Sequence, residues 1–148
     1  MTAAGVARRV FVVCEDGTEY IDRFRRFLGQ SFDFVAAPDF AAARGLVAET
    51  DGLLLDLDFR RTPPERLVDE QGQSAAGVDA GTRARLAETQ GILILRRLRA
   101  EGIVTPAVLF ADLDDDAQAE FLRRTLAPLT LAPSRLGLRE LAALLRGY

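Results

Sequence analysis

The sequence predicts an α/β domain: a doubly wound, five-stranded parallel sheet with helices on both faces. Three observations carry this expectation. Five short apolar runs, at 9–14, 32–35, 51–56, 106–111 and 128–131, alternate with five segments of helical period. The runs are near-continuous in Val, Leu and Phe, as strands covered on both faces are. Strands that alternate strictly with helices connect through right-handed crossovers into a parallel sheet.

Arg9-Val10-Phe11-Val12-Val13-Cys14 reads as the first strand, with Glu15-Asp16-Gly17 at its tip. Thr18 is placed to cap a helix on which Tyr20, Ile21, Phe24, Phe27 and Leu28 recur at helical spacing, with Arg23, Arg25 and Arg26 on the wet face and Gly29 at its end. Phe32 to Val35 is the second strand. Pro38-Asp39 opens a helix with Phe40, Ala43, Leu46 and Val47 on one face. The third strand, 51–56, is an apolar run closed by a carboxylate, Asp56.

Residues 60–81 are rich in Pro, Gly and Ala without a steady period, and read as an inserted loop with one short helical turn at Pro64 to Val68. Loops of this length inside a compact domain are uncommon and often functional. Helical period returns from Thr82 to Ala100 along Leu86, Ile92, Leu93, Leu95 and Leu98; Gly91 interrupts it at a cost of about 1 kcal/mol against Ala. Pro106 to Ala111 is the fourth strand. The run Asp112 to Asp116 is a solvated loop in which an aspartate caps a helix through Phe121-Leu122-Arg123-Arg124. Pro128 to Leu131 is the fifth strand, Ala132-Pro133-Ser134 a turn, and Leu136 to Leu145 the last helix.

Composition bounds the rest. With 148 residues, 49% of them hydrophobic, residues 1–148 are expected to form a single domain with a real core. Residues 1–9 read as a polar lead-in without a signal-peptide pattern, and no apolar run approaches the roughly 20 residues of a membrane helix. The single cysteine, Cys14, rules out an internal disulfide, suits a cytoplasmic setting and reads as a buried core thiol. Histidine and lysine are both absent, which removes His-based triads and metal sites and every lysine-dependent mechanism. The formal charge of −3 gives no electrostatic reason to expect nucleic acid.

Chemistry gathers at the strand ends. In a doubly wound sheet of order 2-1-3-4-5, strands one and three are neighbours at the switch point, where ligands bind beyond the carboxyl ends. Glu15, Asp16 and Asp56 then converge. Three close carboxylates repel one another unless a cation joins them, and hard oxygen ligands with open positions suit Mg²⁺, which would also screen an incoming phosphoryl group.

At this point the chain resembles the receiver domain of two-component response regulators, over nearly its whole length. The residues that carry the resemblance are the acidic pair Glu15-Asp16 after the first strand and Leu54-Leu55-Asp56 ending the third. With them go the run Gly91 to Arg99, the strand Pro106 to Phe110, and Ala132-Pro133, where the family has Lys-Pro before its last helix. The resemblance implies a flavodoxin-like fold and signal transduction through a phosphorelay, with a histidine kinase or downstream effector as protein partner. It puts Asp56 at the phospho-acceptor position. It also implies Mg²⁺, weakly held here, by the side chains of Asp16 and Asp56 and the backbone carbonyl of Asp58, and a homodimer through the fourth helix, fifth strand and last helix. Leu113, Leu126, Leu129, Leu131 and Leu136 would give that face apolar character. The matching peptide at Ala132-Pro133 is cis in the family.

Two departures are chemical. The family's switch Thr/Ser maps to Ala111 and its Lys to Ala132. An aspartyl phosphate would lose a hydrogen bond and an ion pair, each worth about 1.5–3 kcal/mol. The sequence therefore reads as an atypical receiver, or pseudo-receiver, that signals by protein contact, with no enzymatic turnover beyond, at most, Mg²⁺-dependent autophosphorylation at Asp56. One alternative is a working phospho-receiver in which Arg60 or Arg61 supplies the missing cation. The other is a haloacid-dehalogenase-like phosphatase with Asp56 as nucleophile and Asp58 as acid/base. Against the latter, two strand–helix units precede Asp56 and no lysine is available.

Overall fold

The computed structural model describes residues 8–148; residues 1–7, most of the predicted lead-in, lie outside the described residues. Five parallel strands form one sheet in the order β2-β1-β3-β4-β5. They are β1 (Val10–Cys14), β2 (Asp33–Ala37), β3 (Gly52–Asp56), β4 (Ala107–Phe110) and β5 (Leu129–Ala132). The three inner strands are almost wholly buried, which is why their sequences are continuous apolar runs. The helices are α1 (Glu19–Leu28), α2 (Phe40–Leu46), α3 (Ala80–Glu88), α4 (Gln90–Ala100), α5 (Asp116–Thr125) and α6 (Leu138–Arg146). One face of the sheet packs on α1 and α6 through Phe11, Phe24, Phe34, Leu141 and Leu145. The other packs on α2, α3, α4 and α5 through Val12, Leu53, Leu55, Leu95, Leu98 and Leu122.

The predicted doubly wound sheet is present, with differences that have local causes. The helix expected over 82–100 is two helices, so six helices cover the sheet among the described residues. The chain leaves helical geometry at Thr89 (φ −118°, ψ 16°). Around this break the segment after β3 inserts into the helical ladder: Phe59 N–H donates to Ala87 O (2.8 Å), and Gly91 N–H donates to Leu57 O (3.0 Å). Gly91 is thus no tolerated interruption. A Cβ there would overlap the Asp56 carbonyl oxygen and lie 3.0 Å from Leu57 Cα.

Thr18 makes no side-chain cap on α1. Glu15 does that work instead, its carboxylate accepting from Tyr20 N (3.0 Å) and Ile21 N (2.9 Å). Phe27, expected on the apolar stripe, is 58% exposed, because α1 turns Ile21 and Phe24 inward and carries Phe27 past the edge. Asp39 caps α2 through Ala42 N and Asp115 caps α5 through Ala117 N, as the sequence suggests. The cis peptide is Ala127-Pro128, not Ala132-Pro133.

The 60–81 insertion is built into the core. It holds a 3-10 turn at Pro64–Arg66 and an antiparallel bridge between Val68 and Ser74, and helix α3 already starts at Ala80. Leu67, Val68 and Ala75 are buried in the same cluster as Leu55 and Leu95. Gln90, buried at the start of α4, pins it: its amide accepts from Val68 N (2.8 Å) and donates to Val68 O (3.0 Å) and Leu86 O (3.1 Å). Arg66 pairs with Asp39 (2.7 Å) and Arg97 Nη1 reaches Gln71 O (3.5 Å). Gly72 sits at φ +78° against the Arg97 side chain, a conformation that favours glycine.

Candidate functional site

The parallel register sets the site. Cys14 pairs with Leu55, so Asp16 and Asp56 leave neighbouring strands at the same end of the sheet. Asp56 pairs with Phe110, and Phe110 with Ala132, which puts the ends of β3, β4 and β5 in one row. Asp16, Asp56, Asp58, Arg60 and Arg61 together line an open pocket of about 300 Å³. The sequence-predicted acids Asp16, Asp56 and Asp58 are brought together there. Glu15 is not among the lining residues: it is 3% exposed, and both carboxylate oxygens are committed to the first turn of α1. Burial pushes its carboxyl up, partly opposed by the two amide hydrogen bonds.

Each carboxylate of the pocket is already engaged. Asp16 accepts from Arg61 N (2.9 Å, Oδ2) and from Arg61 Nη2 (2.9 Å, Oδ1). The same guanidinium spans to Glu19 through Nη1 (2.8 Å) and Nη2 (3.0 Å), and this pairing holds the Glu19 carboxyl down at about 2. Asp58 is clasped by Arg60, through its backbone N–H (2.9 Å) and its guanidinium (Nε, 3.0 Å). Asp56 Oδ1 accepts from Leu57 N (2.9 Å). Among the described residues no group of three acids or cysteines is arranged to hold a metal ion. The residues present therefore do not fit a bound Mg²⁺ as they stand: of the oxygens it would need at about 2.0–2.1 Å, both of Asp16 are taken by Arg61 and one of Asp56 by the Leu57 N–H.

Burial pushes the Asp56 carboxyl up to about 6; Asp16 and Asp58 add to the shift, while the Leu57 N–H and Arg61 oppose it. A folded-state pKa raised above the unfolded 3.8 means that Asp56 disfavours the fold once ionised, so its contribution falls as pH rises from about 3.8 to about 6. Asp56→Asn keeps the acceptor for Leu57 N–H and removes the charge. After discount for partial solvent screening it should stabilise the protein by about 1–2 kcal/mol at pH 7.5. Chemical denaturation of both proteins at pH 7.5 and pH 3.5 checks this. A gain that persists at pH 3.5 would assign the effect to something other than ionisation.

Beside the pocket, at the ends of β4 and β5, Ala111 N–H donates to Ala132 O (2.9 Å). A cleft of about 400 Å³ opens there, lined by Ala111, Ala132, Leu131, Asp112, Asp114 and Asp116 among others. Methyl groups and three carboxylates line it, with the Arg123 guanidinium as its one cation. Asp112 is itself held by Ser134 N (3.1 Å). Cys14 is free and buried, and burial pushes its thiol up. Glu19 and Gln90 carry roles that sequence reasoning missed. Glu19 left a faint signal, an acid three residues after Asp16; Gln90 left none.

No family profile and no curated protein matches the sequence. Solved structures do match. The receiver domain of the Francisella response regulator 1452 is similar at 16% identity over 94% of each chain, with a TM-score of 0.63. The BeF3-activated N-terminal receiver domain of Klebsiella pneumoniae RstA matches at 23% identity, over 93% of this chain and 96% of that one, with a TM-score of 0.60. The Vibrio cholerae chemotaxis protein CheY4 matches at 12% identity, over 95% and 98%, with a TM-score of 0.64. The overlap runs along nearly the full length of each chain: this chain, with its sheet order β2-β1-β3-β4-β5, has the fold of the response-regulator receiver domain.

Proposed function

We propose that the chain is a pseudo-receiver, a signalling module that works by protein contact in one fixed state rather than by phosphoryl switching. The observation that carries this reading is the pair Ala111 and Ala132, hydrogen-bonded to each other at the ends of β4 and β5. No hydroxyl and no ammonium stands where a phosphoryl group on Asp56 would need them, and the flanking cleft adds Asp112, Asp114 and Asp116. Each missing charge-assisted contact leaves such an adduct about 1.5–3 kcal/mol less stable. Mg²⁺ enters the pocket weakly at best, since Asp16 and Asp58 are already paired with Arg61 and Arg60.

The contact surface in this reading is α5, β5 and α6, where β5 is an edge strand of the sheet. Leu113, Leu129, Leu131 and Leu136 are half-buried there and Phe121 is 48% exposed, whereas Leu126 points into the core. A kinase, a downstream effector or a second copy of the chain would bind on this face. No helix among the described residues is long and apolar enough to cross a membrane, and cytoplasmic work suits the free thiol.

The test is incubation with acetyl phosphate and Mg²⁺, followed by intact mass, with Asp56→Asn beside it. The expected result is no adduct in either protein. A lasting gain of one phosphoryl group that Asp56→Asn abolishes would establish a working receiver instead. Steady, Asp56-dependent release of phosphate without an adduct would favour the phosphatase reading.

A further inference from the structure

We propose that Arg61 is a tethered cation standing where a divalent ion would bind, and that it holds the acidic pocket closed to Mg²⁺. The inference deepens the pseudo-receiver reading, and its test is separable from that reading.

Four hydrogen bonds fix Arg61 on the first loop: backbone N–H and Nη2 take the two oxygens of Asp16, and Nη1 and Nη2 take the two oxygens of Glu19. The Asp16 side chain is 4% exposed, so its charge is met by the guanidinium where little water reaches it. A planar fork suits two carboxylates in this way, which a point charge cannot do. The loop is shaped to admit it. A Cβ on Gly17 would lie 2.6 Å from Arg61 Nη2 and overlap the Glu19 carboxylate, so the guanidinium lies directly over the bare backbone at 17. The chain also delivers Arg61 by a short, ordered route: it lies five residues beyond Asp56, in the turn that Thr62 N–H closes on Phe59 O (3.0 Å), and Phe59 is fully buried. The positive charge is therefore part of the fold and needs no ion from solution.

A divalent ion at Asp16 would have to displace hydrogen bonds on both of its oxygens and sit against a guanidinium. Removing that guanidinium leaves Asp16 without its counter-charge beside Asp56 in the same open pocket, while Arg60 stays on Asp58.

The experiment uses the full chain and Mn²⁺, whose free ion is counted by electron paramagnetic resonance, with Mg²⁺ as competitor. Wild type, Arg61→Ala, Arg61→Gln, Arg61→Ala/Asp16→Asn and Arg44→Ala are titrated side by side. Arg44 pairs with Glu101 away from the pocket and controls for net charge. Both single Arg61 variants should bind Mn²⁺ about tenfold tighter than wild type, or more, in a manner that Mg²⁺ displaces. The gain should vanish in the double variant, and Arg44→Ala should match wild type. Binding by wild type as tight as by Arg61→Ala would overturn the proposal. So would no gain in either Arg61 variant, or an equal gain in Arg44→Ala. Wild type that binds Mn²⁺ yet takes no phosphoryl group would sink this inference and leave the pseudo-receiver standing; a phosphoryl adduct on wild type that takes up no Mn²⁺ would do the reverse.

Discussion

Gly91→Ala should lower stability by about 3 kcal/mol, the upper end of the cost of forcing atoms into a packed core whose neighbours cannot yield. The opposing effect is known in size: Ala is the better helix former by roughly 1 kcal/mol. Which one wins depends on what the new methyl meets. It meets backbone, the Asp56 carbonyl and Leu57 Cα, at the end of a central strand. That strand cannot retreat, because β1 and β4 hold it on both edges. Nor can α4 retreat without uncovering Ile94, Leu95 and Leu98, fully buried in the cluster that holds Leu53 and Leu55, and without losing the Gly91 N–H bond to Leu57 O. In a chain of this length the loss corresponds to a fall in melting temperature on the order of 10 °C. Urea unfolding of Gly91→Ala against wild type measures it. A variant as stable as wild type would mean that helix propensity decides at this site and that the close approach is soft.

The same junction shows what was legible in the sequence. Strand positions follow from apolar runs, and a run such as Leu53-Leu54-Leu55 has only one place to go in an α/β domain; the strand order came with the doubly wound class and not from the runs. Asp56 was legible because a carboxylate closing such a run is costly to bury unpaired. Side-chain pairing across loops left no such trace. Glu15 and Asp16 are adjacent acids with one apparent role, yet one caps α1 from the core and the other lies in the pocket. The difference is a backbone direction that periodicity does not encode. The split of the predicted 82–100 helix was hidden for a related reason: the apolar stripe continues across Thr89, and only the donors and acceptors of Leu57 to Phe59, far away in sequence, interrupt the ladder. The insertion read as a loop with a single helical turn because its buried residues, Leu67, Val68 and Ala75, follow no period, although they belong to the core cluster.

Gln90→Leu should release that insertion. Leucine is close in size and suits a buried position, gaining about 1–2 kcal/mol of apolar transfer. It can neither donate nor accept, however, so Val68 N–H and Val68 O, both inside the core, lose their partner together. A buried group left unsatisfied costs about 1–3 kcal/mol, and here two are left, with Leu86 O losing a further donor. The net loss is about 2–4 kcal/mol. It should be felt locally, because the strands and α4 keep their own packing and only the segment around 63–78 depends on the amide. Hydrogen exchange should therefore quicken at Val68 and at Ala75, whose N–H bonds Leu67 O (2.9 Å), while amides of β1, β3 and β4 keep their protection. Unchanged exchange at Val68 would mean that Arg66–Asp39 and the Leu67 contacts hold the insertion without Gln90. The variant also separates two roles of the insertion. Arg61 lies upstream, anchored through Phe59 and Asp16, so a loosened 63–78 segment with an intact Arg61–Asp16 pair would show that the acidic pocket is closed by its own short arm. The remaining residues of the insertion would then serve packing against α2 and α4.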